Sequence, residues 1–403
     1  MTRNNTIAAH QPPSFDIDPF DETAIEDPYA FHDALRDAGP VVRIEKYDLW
    51  AMARHAEVSA ALKDWETFCS GRGVGLSDFA KEEPWRPPSL LLEVDPPLHD
   101  RTRSVVARVV SPQALKALRP EWETKAERIV AKLVAKERFD AIKELAEVYP
   151  IDVFPDAVGL PKTGRENLLP YGALGFNAFG PRNRIYKESA AAAAHTLEWV
   201  AQSCKRSALA AEGFGAGIFK AVDRGEVNEP EAERLVRSFI AAGVDTTING
   251  IGNMIAAFAQ HPEQFAMLRE RPELIRVAFE EVLRWDSTVQ TFFRTTTRDV
   301  EIGEFTIPEG SKVLLFLAAA NRDPRQWENP ELFDITRRAT GHVGFGVGIH
   351  GCIGQMIARM EAELVLTALV KQVSTLEPDG AARRRLNNTL RAWETFPVRV
   401  TAA

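Results

Sequence analysis

The sequence of 403 residues contains only three cysteines, Cys69, Cys204 and Cys352, and no long apolar run. The cysteine spacings match no zinc or thioredoxin-like motif. An odd and sparse cysteine count suits a reducing compartment. No apolar stretch approaches the ~18 residues that a membrane helix requires, so we expect no membrane association.

The sequence also lacks an excess of basic charge and a secretory signal. The formal net charge is −8 and no basic stripe appears, which argues against a nucleic-acid partner. Residues 1–20 are polar and proline-containing, without the apolar centre of a signal peptide, and we expect a flexible arm there. Residues 21–403 contain no linker, long charge block or internal repeat. We therefore expect a single domain in a cytoplasmic protein.

Glycine is concentrated between Phe345 and Gly354, where it occupies four of ten positions. Glycine at this density lets the backbone lie flat against a large group. A helical pattern begins at Gln355, so Cys352 lies where a loop enters a helix N-terminus. The N–H groups and positive dipole end there favour a thiolate, which a soft metal requires as an axial ligand. The alternative is that Cys352 is a small buried apolar side chain in an ordinary turn.

The longest helical pattern runs from Asn228 to Gln260, about 50 Å of helix if it is unbroken. Asn228 and Glu231 fit a capping box at its start. Inside it, residues 242–247 read Ala-Gly-Val-Asp-Thr-Thr, and Gly, Asp and Thr are poor choices for a helix interior. Such a departure is typical of a functional site, although threonine back-bonding that merely bends the helix is the simpler explanation.

Basic side chains at two further places suit a ligand with two carboxylates. His99 and Arg103 are four residues apart after the helix-start signal Asp95-Pro-Pro, so they share a helix face. A solvated helix face is the alternative. Arg294 lies in a predicted strand, with Phe before it and Thr after it.

Several of these segments resemble one family. The glycine-rich segment fits the pattern Phe-Gly-x-Gly-x-His-x-Cys-x-Gly at every fixed position: Phe345, Gly346, Gly348, His350, Cys352 and Gly354. That pattern is the haem-binding loop of the cytochrome P450 family. The segment from Ala242 resembles the family's Ala-Gly-x-Asp-Thr sequence, and Glu281 with Arg284 resembles its Glu-x-x-Arg element. Since the motifs also occur in the family's order, the chain is identified as a member.

The resemblance implies a mostly α fold with a small β region, a triangular prism holding haem b between the long central helix and the cysteine loop. Cys352 would be the proximal iron ligand, and Glu281 with Arg284 a structural pair. Asp245 and Thr246 would deliver protons to bound O₂. The remaining residues expected to contact haem, including those for its propionates, are His99, Arg103, Ala242, Arg294, Phe345, Gly346, His350 and Gly354.

The resemblance also implies partners. The sequence has no flavin or iron–sulfur motif of its own, so electrons should come from NAD(P)H through a ferredoxin reductase and a 2Fe–2S ferredoxin. We expect the ferredoxin to dock near the cysteine loop.

The spacing of residues on the long helix restricts the class of substrate. Ser238 precedes Thr246 by eight residues, which is two turns and about 11 Å on a continuous helix. Arg237 is adjacent, and Arg86 and Ser89 in the Pro-rich loop could close the same end. Arginine with serine hydroxyls suits a carboxylate. The residues expected to hold an aromatic ring are Leu92, Phe176, Phe179, Val289 and Phe292.

The segments that contain Arg86 and Ser89, Phe176 and Phe179, and Val289 and Phe292 closely resemble those of the bacterial monooxygenases of para-substituted benzoates. The expected reaction is oxidative O-demethylation of 4-methoxybenzoate to 4-hydroxybenzoate and formaldehyde. Alternatives stay open: a neutral terpene or steroid substrate, a peroxide-driven enzyme, or a haem sensor or carrier without oxygenase chemistry. Arg86 and Arg237 could instead form ordinary surface salt bridges.

Sequence periodicity also predicts several other helices and strands. Residues 41–54 form a hairpin, 189–209 an Ala-rich helix, and 289–316 a group of strands. The last helix continues to Leu376, and a short hairpin follows between Trp393 and Val400.

Overall fold

The structure, a computed structural model, describes residues 12–403 and is mostly helical with a small β region. The helices are α1 Glu22–Glu26, α2 Tyr29–Ala38, α3 His55–Lys63, α4 Leu98–Val109, α5 Pro112–Val134, α6 Val148–Val158, α7 Leu168–Asn177, α8 Arg184–Ala193, α9 Thr196–Ser203, α10 Phe214–Asp223, α11 Glu229–Ala242, α12 Asp245–Gln260, α13 Pro262–Glu270, α14 Ile275–Trp285, α15 Leu317–Ala320 and α16 Gln355–Gln372.

The strands are short. They are β1 Ser14–Phe15, β2 Val42–Ile44, β3 Leu49–Met52, β4 Phe68–Cys69, β5 Arg138–Asp140, β6 Thr291–Thr296, β7 Val300–Ile302, β8 Phe305–Ile307, β9 Lys312–Phe316, β10 Val373–Pro378, β11 Arg383–Arg385, β12 Ala392–Thr395 and β13 Pro397–Ala402. The largest sheet has the order β1-β2-β3-β9-β6-β4, with β1–β2 and β3–β9 parallel and its other pairs antiparallel. The predicted strands of 289–316 and the hairpin of 41–54 are confirmed.

The N-terminal segment is only partly covered by the structure. The predicted arm spans residues 1–20, and residues 1–11 lie outside the described part. Ser14 and Phe15 pair in parallel with Arg43 and Ile44, and Phe20 is buried in the core. From residue 14 onward, backbone pairing and an aromatic anchor thus attach the segment to the large sheet.

The long helix predicted from Asn228 to Gln260 is broken in two. The start is as predicted: the Asn228 side chain accepts from the Glu231 N–H, and the Glu231 carboxylate accepts from the Asn228 N–H. The helix ends at Ala242, and α12 begins at Asp245. The prediction of one continuous helix was wrong because the poor helix formers between them interrupt the ladder.

Three other sequence predictions of helices and strands were also wrong. The Ala-rich stretch divides into α8 and α9, with a break at residues 194–195. The last helix ends at Gln372, since residues 373–378 pair with β13 instead of continuing the helix. Residues 393–400 do not fold on themselves, because β12 pairs with β11 and β13 with β10 and β5. In the last two cases pairing with another strand overrides the local pattern.

One large hydrophobic core, which includes side chains from Leu90 to Val400, surrounds α12. Helix α12 is buried along nearly all of its length, and it packs against α14 and α16. Within residues 12–403, no helix is both long and apolar enough to cross a bilayer. This rigid setting fixes the start of α12 opposite the glycine-rich loop that precedes α16.

Candidate active site

The glycine-rich loop is a tight turn that holds Cys352 just before α16. The Cys352 N–H donates to the Phe345 carbonyl over 2.8 Å, which closes the loop. Gly348 has φ +74°, and a Cβ there would lie 2.7 Å from the Leu62 carbonyl at the end of α3. Glycine is required at this position for both conformation and space. The loop is thereby pressed against α3 with Cys352 facing a cavity.

The thiol of Cys352 is subject to opposing influences. Burial raises its pKa, whereas the backbone N–H groups of Gly354 and Gln355 and the Arg103 charge act to lower it. Burial prevails, so the protein alone favours the thiol. The thiolate expected from the helix N-terminus requires a bound metal as well, because coordination deprotonates a thiol outright.

A charged anchor holds the loop from behind. Glu280 accepts from Arg359 at 2.6 Å and contacts the His342 ring nitrogen at 3.0 Å. The Arg359 guanidinium also lies 4.6 Å from the centre of the Phe345 ring. Burial raises the pKa of Glu280, but hydrogen bonds from His342 and Arg359 outweigh it and lower that pKa to about 2. Glu280 therefore ties α14, α16 and the loop together.

Four basic side chains converge beside this loop. His99 on α4 and His350 have ring centroids 4.5 Å apart, and the Nε2 of each is buried without a hydrogen bond in the described chain, although His350 Nε2 lies 3.6 Å from the Asp95 carboxylate. Arg103 donates to the Gly351 carbonyl at 2.6 Å, and Arg294 on β6 donates to the Phe293 carbonyl at 2.8 Å. Among residues 12–403, neither guanidinium forms an ion pair with a carboxylate.

This cluster fits the expected haem. Burial lowers the pKa of Arg294 to about 10, so the side chain is still charged at neutral pH. A buried cation without a partner is costly. Two propionates would supply the missing anions and accept from both histidine Nε2 atoms. Cys352 faces the same cavity, so the residues present can hold an iron porphyrin by its metal and by its acidic edge.

The break between α11 and α12 lies along the same cavity. Thr246 Oγ1 donates to the Ala242 carbonyl at 2.7 Å, and Thr247 Oγ1 to the Gly243 carbonyl at 3.0 Å. A Cβ on Gly243 would lie 2.4 Å from the Phe154 ring, so only glycine fits. The back-bonding that could explain the bend is present, and Ala242 and Thr246 also line the cavity. The back-bonding explanation of this segment is therefore confirmed, and its functional role stays a prediction.

Asp245 is fully buried at the start of α12 and paired with a residue that the sequence did not indicate. Its Oδ1 accepts from Arg385 at 2.7 Å and from Asn249 at 3.1 Å. Its Oδ2 has no hydrogen-bond partner among the described residues. The Asp245 charge is the largest cause of the raised pKa of Arg385. Arg385 is 28 % exposed, so the pair connects the buried carboxylate with the surface.

The cavity extends from Cys352 and Thr246 to a polar end between α11 and the loop before α4. It includes the place expected for haem. The predicted ligand-contacting residues that line it are Arg86, Ser89, Leu92, Arg103, Phe176, Phe179, Arg237, Ser238, Ala242, Thr246, Val289, Phe292, Arg294, Phe345, Gly346, His350, Cys352 and Gly354. Two predicted contacts lie behind this surface, namely His99 and Asp245.

The polar end brings the predicted serines and arginines together. Ser89 Oγ and Ser238 Oγ are 3.4 Å apart. Arg237 donates to the Pro87 carbonyl at 2.6 Å, and it forms no ion pair within the described chain. Burial lowers the pKa of Arg237, and the Arg86 charge acts in the same direction. Arg86 differs, because its Nη1 lies 2.9 Å from the Glu93 carboxylate. That pair is largely buried, so the surface salt bridge considered for Arg86 is a salt bridge inside the cavity wall.

An apolar wall faces the polar end. The rings of Phe176 and Phe179 are edge to face at 5.8 Å, and Phe292 meets Phe179 at 5.7 Å. Leu92 and Val289 pack against this group. Such a cluster offers ring edges and faces against which an aromatic ligand can pack.

The Glu-x-x-Arg pair lies apart from the cavity and is fully buried. Arg284 makes two parallel bonds to the Glu281 carboxylate, at 2.7 and 2.8 Å. Glu281 also accepts from Arg337 at 3.2 Å, and Arg284 reaches three backbone carbonyls at residues 321, 330 and 332. The geometry is that of a structural clamp between α14 and the loop preceding the cysteine segment.

Four charged residues of the site were not predicted from the sequence: Glu93, Arg234, Glu280 and Arg385. Arg234 donates twice to the Pro88 carbonyl, at 2.5 and 3.2 Å, and so supports the loop that carries Arg86 and Ser89. No local sequence pattern indicates these residues, because their partners lie in other elements or elsewhere in an irregular loop.

Comparisons with known proteins agree with this geometry. A family model described as Cytochrome P450 matches residues 187–392. Cytochrome P450 CYP199A2 of Rhodopseudomonas palustris is 53 % identical over 392 residues, which cover 97 % of this chain and 95 % of that protein. Cytochrome P450 107B1 of Saccharopolyspora erythraea is 32 % identical over 402 residues, with 95 % and 98 % covered. The solved structure of cytochrome P450 CREJ in complex with (4-ethylphenyl) dihydrogen phosphate has a TM-score of 0.87 at 28 % identity, with 95 % and 99 % covered.

Proposed function

This chain belongs to the cytochrome P450 family and is a haem-thiolate monooxygenase, and we propose that its substrates are para-substituted benzoic acids. The expected reaction is O-demethylation of 4-methoxybenzoate, which gives 4-hydroxybenzoate and formaldehyde. The observation that carries the proposal is the cavity itself. One end has unpaired positive charge and two hydroxyls, the middle is aromatic, and the other end holds Thr246 and Cys352.

Charge at the polar end favours an anionic ligand. Arg86 and Arg237 line this region, and Arg234 supports its loop through the Pro88 carbonyl. Glu93 is paired with Arg86, whereas Arg237 has no carboxylate partner among the described residues and leaves positive charge at this end. A substrate carboxylate would relieve the cost of burying Arg237 and would accept charge-assisted bonds from Ser89 and Ser238 hydroxyls.

Position along the cavity then determines which atom reacts. The sequence-based distance of about 11 Å assumed one continuous helix, and the break at residues 243–244 changes that measure. Ser238 and Thr246 nevertheless line the same cavity from α11 and α12. A benzoate with its carboxylate at Ser238 and its ring against Phe179 and Phe292 directs its para substituent toward Thr246. Oxidation should therefore favour the para over the meta position.

A solved relative supports the substrate class. The CREJ structure holds (4-ethylphenyl) dihydrogen phosphate, a para-substituted phenyl ring with an acidic group. The aromatic wall of the present cavity suits such a ring, and its positively charged end suits such an acidic group. At 28 % identity the comparison indicates a chemical type for this chain and not a particular substrate.

The haem supplies iron that binds and activates O₂ when it is present. Arg103, Arg294, His99 and His350 would hold the acidic edge of the group, and Cys352 would provide the thiolate. The Thr246 hydroxyl donates to the Ala242 carbonyl, so its Oγ1 can accept a hydrogen bond from a ligand in the cavity. Asp245 with Arg385 would form the proton route from the surface. Electrons would come from NAD(P)H through a reductase and a 2Fe–2S ferredoxin that docks near the cysteine loop in the cytoplasm.

The decisive test compares 4-methoxybenzoic acid with 4-methoxybenzamide. Each charge-assisted bond lost is worth ~1.5–3 kcal/mol, so the amide should bind at least about tenfold more weakly. Binding is followed by the Soret shift of the loaded enzyme, and product by chromatography. Ser238→Ala should weaken the acid more than the amide. If the amide binds as tightly as the acid, the neutral terpene- or steroid-like class replaces the benzoate class.

A further inference from the structure

A buried glutamate lies behind the arginine that faces the cavity. Glu93 is 5 % exposed, in the loop that leads into α4. Its Oε2 accepts from Arg86 Nη1 at 2.9 Å and from the Ser89 N–H at 2.6 Å. One carboxylate oxygen thus holds both an arginine and the turn that carries the Ser89 hydroxyl.

Arg86 stands between two spaces. It lines the main cavity, and it also lines a smaller outer pocket together with Trp85, Phe179, Arg182 and Glu93. The Arg86 guanidinium can therefore present one edge to Glu93 and another to a ligand inside the cavity. A carboxylate bound there and the Glu93 carboxylate would share one guanidinium.

We propose that Glu93 is a specificity-determining residue, which positions Arg86 and Ser89 and also competes with the substrate carboxylate for the charge of Arg86. The proposal rests on the benzoate function given above. Glu93 lowers the affinity for acids while leaving the affinity for neutral analogues nearly unchanged. It thereby keeps the binding of an acidic substrate and of its acidic product reversible.

The charged groups around Glu93 indicate that its carboxylate lowers, and does not raise, the affinity for an acid. Arg86 is in direct contact with the Glu93 carboxylate, and Arg182 lines the smaller pocket beside it. Burial lowers the pKa of Arg234 on α11, while the charge of Glu231 and, less strongly, that of Glu93 act to raise it. Burial raises the pKa of Tyr171 on α7, and the Glu93 charge adds to that effect. Neutralising Glu93 removes the carboxylate that is paired with Arg86 and makes the local charge more positive by one unit. Two carboxylates on one guanidinium repel each other over a few ångströms of largely buried space, and removing one favours the other.

The test uses Glu93→Gln, because the glutamine oxygen can still accept from Ser89 and Arg86. The matched control is Glu83→Gln, an exposed position in the same loop with the same charge change. Dissociation constants of 4-methoxybenzoate and 4-methoxybenzamide are measured for wild type and both variants by calorimetry and by the Soret shift. The carbonmonoxy spectrum of each variant confirms that its haem pocket is assembled.

Glu93→Gln should bind the acid about tenfold to a hundredfold more tightly, with the amide changed less than about twofold. Glu83→Gln should change neither. In an Arg86→Met background the gain from Glu93→Gln should largely vanish, since the shared guanidinium is gone. The idea is overturned if Glu93→Gln weakens acid binding, or if it shifts acid and amide equally. Wild-type discrimination between acid and amide tests the benzoate function separately, so the two failures are distinguishable.

Should Glu93→Gln not load haem, Glu93→Asp gives a second measurement. The shorter side chain withdraws from Arg86 while keeping its charge in the loop. The acid should then bind more tightly than it binds to wild type, but by a smaller factor than in Glu93→Gln. The amide should bind as it binds to wild type. Acid binding weaker than wild type would again contradict competition.

Discussion

Replacing Arg385 with methionine should destabilise the protein, because it leaves the Asp245 carboxylate buried and without its ion-pair partner. Asp245 is fully buried, and Arg385 Nη2 lies 2.7 Å from its Oδ1. Only Asn249, at 3.1 Å, would still donate to that oxygen, and Oδ2 has no described partner. Breaking a buried ion pair from one side costs about 3–5 kcal/mol. Since Arg385 is 28 % exposed, we expect the lower end, about 3 kcal/mol.

The double-mutant cycle isolates the charge pair. Asp245→Asn leaves an arginine that can turn toward water, so it should cost only about 1 kcal/mol. In Asp245→Asn, a further Arg385→Met change should cost far less than 3 kcal/mol, because no buried charge remains. The free energy of unfolding of the haem-loaded protein is measured in urea by far-ultraviolet circular dichroism.

Arg383→Met on the same strand is the matched control. Arg383 is exposed and pairs with exposed Glu394, so its removal should change the free energy of unfolding by less than about 0.5 kcal/mol. Equal effects of Arg385→Met and Arg383→Met would refute the reasoning. Asp245→Asn should also slow turnover as a whole, since the carboxylate proposed to pass protons inward is lost.

Further predictions concern the haem pocket and its supports. Cys352→His should abolish the thiolate-specific Soret band of the carbonmonoxy complex, and an unchanged band would rule out Cys352 as the ligand. Thr246→Ala should keep the substrate-induced Soret shift but convert more NADH into peroxide and less into product, whereas wild-type coupling would exclude the relay. Arg294→Met should release haem faster to apomyoglobin, because a propionate loses a buried cation. The pKa of Glu280 is lowered from 4.5 to about 2 in the folded state, so its ion pairs stabilise the fold above about pH 4.5 and this is lost as the pH falls toward 2. Glu280→Gln should therefore remove up to about 3 kcal/mol at neutral pH and less in acid, measured by urea unfolding across pH.

Short-range features of the site could be predicted from the sequence. The glycine spacing indicated the cysteine turn, and Asn228 with Glu231 indicated the helix start, because each depends on residues within ten positions. The unsuitable residues around Gly243 marked an unusual place in the long helix. They did not reveal the break itself, which needs the Phe154 ring 2.4 Å from where a Cβ would lie and two threonines bonded back to the preceding turn.

Partners brought together by the fold could not be predicted. Arg385 is 140 residues from Asp245, and Arg359 is 79 residues from Glu280. The prediction for the C-terminal strands was wrong for the same reason, since β10 forms through its pairing with β13. Periodicity describes one segment at a time, whereas ion-pair partners and strand pairings depend on which segments the fold brings together.

Buried arginines show why a site cannot be located from residue type alone. Arg284 and Arg385 are satisfied by carboxylates of the chain itself, Glu281 and Asp245. Arg103, Arg237 and Arg294 line the cavity without a carboxylate among the described residues. The sequence gives all five the same charge and similar helical or strand surroundings. Burying a cation is costly unless an anion accompanies it, so an unpaired arginine facing a cavity indicates the anion that is to bind there. Two of the three lie beside the cysteine loop, where haem propionates fit, and Arg237 lies at the far end, where the substrate carboxylate is expected.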